Sequence, residues 1–139
     1  MRGRRTVIIV GRGPELEQAL DAMAELDLPV RVIPTLLEAE RALLGTAQPR
    51  VSAVLVSLAE DPERGLRLIR SLRRGSTLAA VTIAVWAPAN AAIRLADAYR
   101  AGASSGVLLD GTHEDPIRLA RVIHYWAVAN EPPTHEALA

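Results

Sequence analysis

Few side chains in this sequence have the type and setting for chemistry, and the foremost is a hydroxyl. Ser57 stands at the end of the apolar run Ala53-Val54-Leu55-Val56-Ser57-Leu58. A serine attacks as a nucleophile only when a neighbouring group takes its proton, and no acid or base adjoins Ser57 in the chain. The Gly-x-Ser-x-Gly turn of α/β hydrolases is also missing around it. A second candidate is Gly11-Arg12-Gly13, set before a helical pattern. Helix N-termini attract anions, so Arg12 and Ser57 together could hold a small anion. The stretch lacks the third glycine of a dinucleotide fingerprint and the lysine of a P-loop. His113 and His135 have no second ligand at metal spacing.

The elements that must position these residues follow from periodicity. The run 53–58 is uncharged and branched, as a strand covered on both faces of a parallel sheet is. Thr6-Val7-Ile8-Ile9-Val10 reads as an earlier strand of the same kind. Pro14 suits the first turn of a helix, and Leu16, Ala19, Leu20, Met23 and Leu26 recur at helical spacing to Leu26. Residues 30–33 form a short strand, and Thr35 caps a second helix that closes at Gly45. A third helix turns Leu66, Leu68, Ile69 and Leu72 inward and leaves arginines 64, 67, 70, 73 and 74 to solvent. A fourth strand spans 81–86, Asn90 caps a helix to about Arg100, and Val107-Leu108-Leu109 lies in a fifth strand. Thr112 or Asp115 caps the last helix. The domain spans 1–130, and 131–139, with Pro132-Pro133, reads as a linker or loose tail.

Five strands alternating with five helices fit a flavodoxin-like, doubly wound parallel sheet of order 2-1-3-4-5. Its ligand crevice lies at the carboxyl ends of the strands. In that arrangement Arg12, Gly13, Ser57 and Ala87 meet in one crevice.

Composition narrows the function further. The 139 residues are half hydrophobic with zero formal net charge, which argues against disorder and nonspecific polyanion binding. With no cysteine, disulfides and thiolate chemistry are excluded. All 16 basic residues are arginine, so the chain has no lysine, and the absence of phenylalanine makes the core aliphatic. No apolar run approaches the roughly 20 residues of a membrane span, and Thr6 to Val10 is too short for a secretory apolar region of about 7–15 residues. A cytoplasmic protein is expected.

From about Thr6 to Ala129 the pattern resembles the receiver domain of two-component response regulators. The likeness rests on Val7-Ile8-Ile9-Val10 before a short loop and Pro14, and on Ala53 to Leu58 followed by Gly65-Leu66. Ala101-Gly102-Ala103 before the fifth strand and Asp115-Pro116 opening the last helix complete it. The resemblance implies a self-phosphorylating pocket, and this chain departs from each of its parts. The two Mg²⁺-holding acids fall on Arg12 and Gly13, the phosphate-accepting aspartate on Ser57, the switch hydroxyl on Ala87 and the lysine on Leu109. The chain therefore reads as a degenerate pseudo-receiver without catalysis, metal or cofactor.

Its expected role is phosphorylation-independent signal transduction through protein contacts or homodimerisation, as the N-terminal regulatory domain of a larger two-component protein. The resemblance points to the face made by the fourth helix, fifth strand and fifth helix. Tyr99, Tyr125 and Trp126 are its candidate residues, since aromatics are enriched where proteins dock. Trp126 shares a helical face with Ile123, which also suits plain packing. The third-helix arginines have no interleaved aromatic, so direct nucleic-acid binding is not expected. The alternative function is a sensor that binds an anion or small molecule in the degenerate pocket.

Overall fold

The computed structural model describes residues 5–45, 50–75 and 78–129. Among them, five strands form one parallel sheet: β1 (Thr6–Val10), β2 (Val30–Ile33), β3 (Val51–Ser57), β4 (Thr82–Pro88) and β5 (Ser105–Leu109). Their order is β2-β1-β3-β4-β5, the flavodoxin-like order expected from the sequence. The helices are α1 (Pro14–Ala22), α2 (Leu36–Leu43), α3 (Pro62–Gly75), α4 (Ala92–Ala101) and α5 (Asp115–Ala129).

The alternating geometry of a strand divides the apolar residues into two cores. Val7, Ile9, Ala53, Leu55, Ala84 and Trp86 pack with α1 and α5. Ile8, Val10, Val54, Val56, Ile83 and Val85 pack with α2, α3 and α4. Uninterrupted apolar strands are thus explained, because both faces of the sheet are covered. Each fully buried aliphatic or aromatic side chain contributes about 1.5–3 kcal/mol. Gly65 lets α3 lie close on β3: a Cβ there would stand 2.8 Å from Leu58 Cδ2.

Several boundaries differ from the sequence reading. β3 starts at Val51, before the uniformly apolar run, and its pairing with β1 slips between Thr6 and Val7. α1 ends at Ala22 rather than Leu26, because the backbone passes into turns in which Leu26 N–H donates to Met23 O. Leu26 is consequently half exposed instead of packed inward. Asn90 sits within a 3₁₀ turn, Ala89–Ala91, that leads into α4. β4 runs on to Pro88, where it still pairs with Leu109. Thr35 caps α2 as expected, its Oγ1 accepting the Glu38 N–H at 3.2 Å. The tail at 131–139 and His135 lie outside the described residues.

Candidate functional site

The carboxyl ends of β1, β3, β4 and β5 converge as the topology demands, but they do not make one crevice. Arg12 and Ser57 line a cleft of about 180 Å³ on the α2–α3 side, with Thr35, Glu60, Asp61 and Arg64. Leu109 lines a second cleft, also about 180 Å³, with Glu15, Trp86 and Asp115. Ala87 opens into neither: it is fully buried in the α2–α4 core. Gly13 faces Glu15, whose Oε1 would lie 2.9 Å from a Cβ at that position. The expectation that Arg12, Gly13, Ser57 and Ala87 share a crevice is corrected accordingly. Successive residues of a strand face opposite sides, and Ala87 follows Trp86.

Trp86 is the residue that separates the two clefts, and the sequence reading missed it. It pairs in register with Ser57, and its indole is 2% exposed. The ring also reaches the end of β1. A Cβ on Gly11 would stand 2.7 Å from Ser57 Cβ and 3.1 Å from two indole carbons. Gly11 has φ +150°, a conformation L side chains rarely adopt, so two constraints select glycine there. The Trp86 Nε1–H is buried without an acceptor among the described residues. A large aromatic closing a buried strand in a chain without phenylalanine was the available signal.

Ser57 is itself 8% exposed, and its Oγ accepts the Ala59 N–H at 3.2 Å. The hydroxyl thus helps shape the turn after β3. Asp61, the nearest aspartate in sequence, caps α3: its Oδ1 accepts the Arg64 N–H at 3.1 Å, ahead of Pro62 in the first turn.

Both cations at the first cleft face carboxylates. Arg12 Nε donates to Glu60 Oε1 at 2.9 Å, and Arg64 Nε donates to Glu40 Oε1 at 2.9 Å. The hydrogen bond and charge of Glu40 hold the Arg64 guanidinium above its ordinary pKa. A cleft that also contains Glu60 and Asp61 offers an anion little net positive potential.

The second cleft is shaped by Asp115, which is 6% exposed. Its two carboxylate oxygens accept the Asp110 N–H at 3.1 Å and the Gly111 N–H at 2.9 Å. It therefore ties the β5–α5 loop, while Thr112 Oγ1 accepts the Glu114 N–H at 3.3 Å. The two residues offered as alternative caps both work on this loop.

The α3 arginines are not one solvated stripe. Arg73 is half-buried, and its guanidinium donates to Gly102 O (2.8 Å), Ala79 O (2.9 Å), Val81 O (2.5 Å) and Ser104 Oγ (3.2 Å). Burial lowers its pKa. It clamps the end of α3 to the approach to β4 and to the α4–β5 connection. Arg67, Arg70 and Arg74 remain exposed.

The candidate interface residues occupy both sides of edge strand β5. Tyr99 on α4 and Tyr125 on α5 are exposed, at 48% and 58%. α4 belongs to the α2–α4 layer and α5 to the α1–α5 layer. Tyr125 also borders a groove between α1 and α5. Trp126 is half-buried against the α1–α5 core and meets the Tyr125 ring edge-on, with centroids 4.8 Å apart and planes at 84°. Ile123 on the same face is fully buried. His113 is exposed, and no group of three or more metal-ligating side chains occurs among the described residues. Nor is any described helix long and apolar enough to cross a membrane.

No family model matches the sequence, and no curated protein matches it. Solved structures do match. The Mn(2+)-bound form of response regulator Rcp1 is 13% identical with a TM-score of 0.73, over 93% of this chain and 99% of that one. The phosphorylated cyanobacterial phytochrome response regulator RcpA is 13% identical with a TM-score of 0.71, over the same shares. A response regulator from Hahella chejuensis is 16% identical with a TM-score of 0.69, again over 93% and 99%. At these identities the likeness is one of fold, and it spans nearly the whole chain: five parallel strands in the order 2-1-3-4-5 with five helices, the architecture of response-regulator receiver domains.

Proposed function

We propose that this chain is a signal-transduction domain that works without phosphorylation, through protein contacts, and that it is not an enzyme. One observation carries the reading. Every position at which a receiver's phosphoryl chemistry would sit is filled by a residue with another job or with none of the needed atoms. Ser57 Oγ accepts a backbone N–H of the following turn. Arg12 places a cation, paired with Glu60, where a divalent ion would seek carboxylate oxygens. Ala87 is buried without a hydroxyl, and Leu109 is buried in a chain without lysine. Two solved relatives are described as Mn(2+)-bound and as phosphorylated. This chain keeps their fold and lacks the groups for either state.

The anion-sensor alternative gains little from the site, because its two arginines are matched by Glu60 and Glu40. Incubation of the full chain with acetyl phosphate and Mg²⁺ tests the proposal. The expected result is an unchanged intact mass; a phosphorylated species would overturn it.

A further inference from the structure

Zero net charge does not make the surface of this chain even. On α3, Arg67, Arg70 and Arg74 are exposed and recur at three- and four-residue intervals, so they form one ridge. Arg41 is exposed on the neighbouring helix α2. None of these four has an ion-pair partner among the described residues. The helix macrodipole favours cations in the last turn, which accounts for Arg41 and Arg74. It does not account for Arg67 and Arg70 in the middle of α3. Nearby acids do not offset them: Glu40 is paired with Arg64 and Glu63 with Arg94. Glu38 belongs to the first turn of α2 and does not line the space between the helices.

That space is a groove of about 390 Å³, lined by Glu40, Leu44, Arg64, Arg67, Leu68 and Ser71. Leu68 is buried and forms an apolar floor, whereas Leu44 is 40% exposed at the rim. With Glu40 and Arg64 neutralising each other, Arg67 leaves the groove positive. The complementary partner is therefore anionic, and it presents an aliphatic side chain to Leu44. An acidic protein segment meets both demands, since guanidinium groups bind carboxylates bidentately and amphipathic segments lodge in grooves between helices. A nucleic acid fits less well. Neither helix carries an aromatic residue on which a base could stack, and Glu40 interrupts the positive line that a phosphate backbone follows. The face also lacks the tryptophan or tyrosine that anchors a protein at a lipid headgroup layer.

We infer, on the reading of the chain as a protein-contact domain, that the α2–α3 groove docks an acidic protein segment with an aliphatic anchor. Arg67 and Arg70 take its carboxylates, and the anchor packs on Leu44 over the Leu68 floor. This face is separate from the α4–β5–α5 side on which contacts were expected.

Fluorescence anisotropy with the full chain tests this, using a labelled helix-forming peptide of glutamate, leucine and alanine as the probe. The wild type should bind it, more weakly as salt rises. Arg67→Glu combined with Arg70→Glu should weaken binding at least about tenfold, while Arg121→Glu on α5 should leave it unchanged. Replacing the probe's leucines by alanine, or Leu44→Ser in the protein, should also weaken it. A probe with lysine in place of glutamate should prefer the Arg67→Glu, Arg70→Glu chain to the wild type. All the substituted side chains are exposed, and an unchanged urea midpoint for each variant separates lost binding from lost folding. A wild type that does not bind the acidic probe would overturn the inference. So would binding that survives the double reversal, binding indifferent to the leucines, or a lysine probe without that preference. Tighter binding of duplex DNA or phosphatidylserine vesicles than of the peptide would overturn it too, by assigning the face to another polyanion. None of these readouts involves phosphorylation, so acetyl-phosphate labelling would fault the functional proposal and leave this test standing.

Discussion

Arg12 Nε lies 2.9 Å from Glu60 Oε1, joining the loop after β1 to the loop after β3 across the carboxyl edge of the sheet. Both side chains are about three-fifths exposed, so the pair adds little stability. Its position bears on the proposed function: it places a cation in the cleft that Ser57 also lines.

Restoring the acceptor alone should therefore not restore phosphotransfer. Ser57→Asp should show no added phosphate by intact-mass spectrometry after acetyl phosphate and Mg²⁺. The chain has no lysine to offset the charge that develops, and Arg12 rather than an acid lines the cleft after β1. Gly13 presents a further obstacle, because its φ of +138° strains any L side chain placed there as a metal ligand. Phosphorylation of Ser57→Asp would show that the pocket supplies charge compensation in another way.

Arg73 should prove the most costly of the α3 arginines to remove. Arg73→Ala deletes donors to three carbonyls and to Ser104 Oγ, and should destabilise the fold by about 2–3 kcal/mol. Urea unfolding should show a lower midpoint with an unchanged slope. Arg73→Lys should recover only part of the loss, since an ammonium cannot span the acceptors that a planar guanidinium reaches. Arg70→Ala, on the solvent side, should change stability little; equal effects of Arg70→Ala and Arg73→Ala would refute the clamp.

The β5–α5 loop should respond to acid. Asp110 has its pKa held below the ordinary carboxylate value, first by the Thr112 hydroxyl and then by the Thr112 backbone N–H, with a further contribution from Arg118. A carboxyl whose folded pKa is depressed adds stability above its unfolded pKa and loses it as pH falls through the folded value. Loop stability should accordingly begin to decline as pH falls through the ordinary carboxylate value and be lost as it passes the lower folded one. Thr112→Val should move the Asp110 titration, followed by side-chain carboxyl NMR, upward. An unmoved titration would rule out the hydroxyl as the main cause.

How much of this was legible in the sequence varied with the range of the interaction involved. The parallel sheet followed from the alternation of apolar runs with helical stripes, because a parallel sheet covered on both sides is the arrangement that buries both. The Thr35 cap and the inward leucines of α3 were legible for the same reason: each is set by residues a few positions apart. The absence of lysine and the identities of Ser57, Ala87 and Leu109 needed no coordinates either.

Tertiary structure decided which of those residues share a space. The indole of Trp86 divides the expected crevice by reaching from β4 past Ser57 to Gly11, residues that periodicity cannot relate. Arg73 and Arg70 differ by one helical turn in sequence and read alike, yet Arg73 finds the Gly102 carbonyl of the α4–β5 connection and the Ala79 and Val81 carbonyls before β4. Leu26 belonged to the α1 stripe by spacing, but the helix ended at Ala22 and left it at the rim of an apolar groove. Short-range patterns specify elements and their covered faces; a side chain's partners across the fold depend on where the packed helices and strands bring distant backbone together.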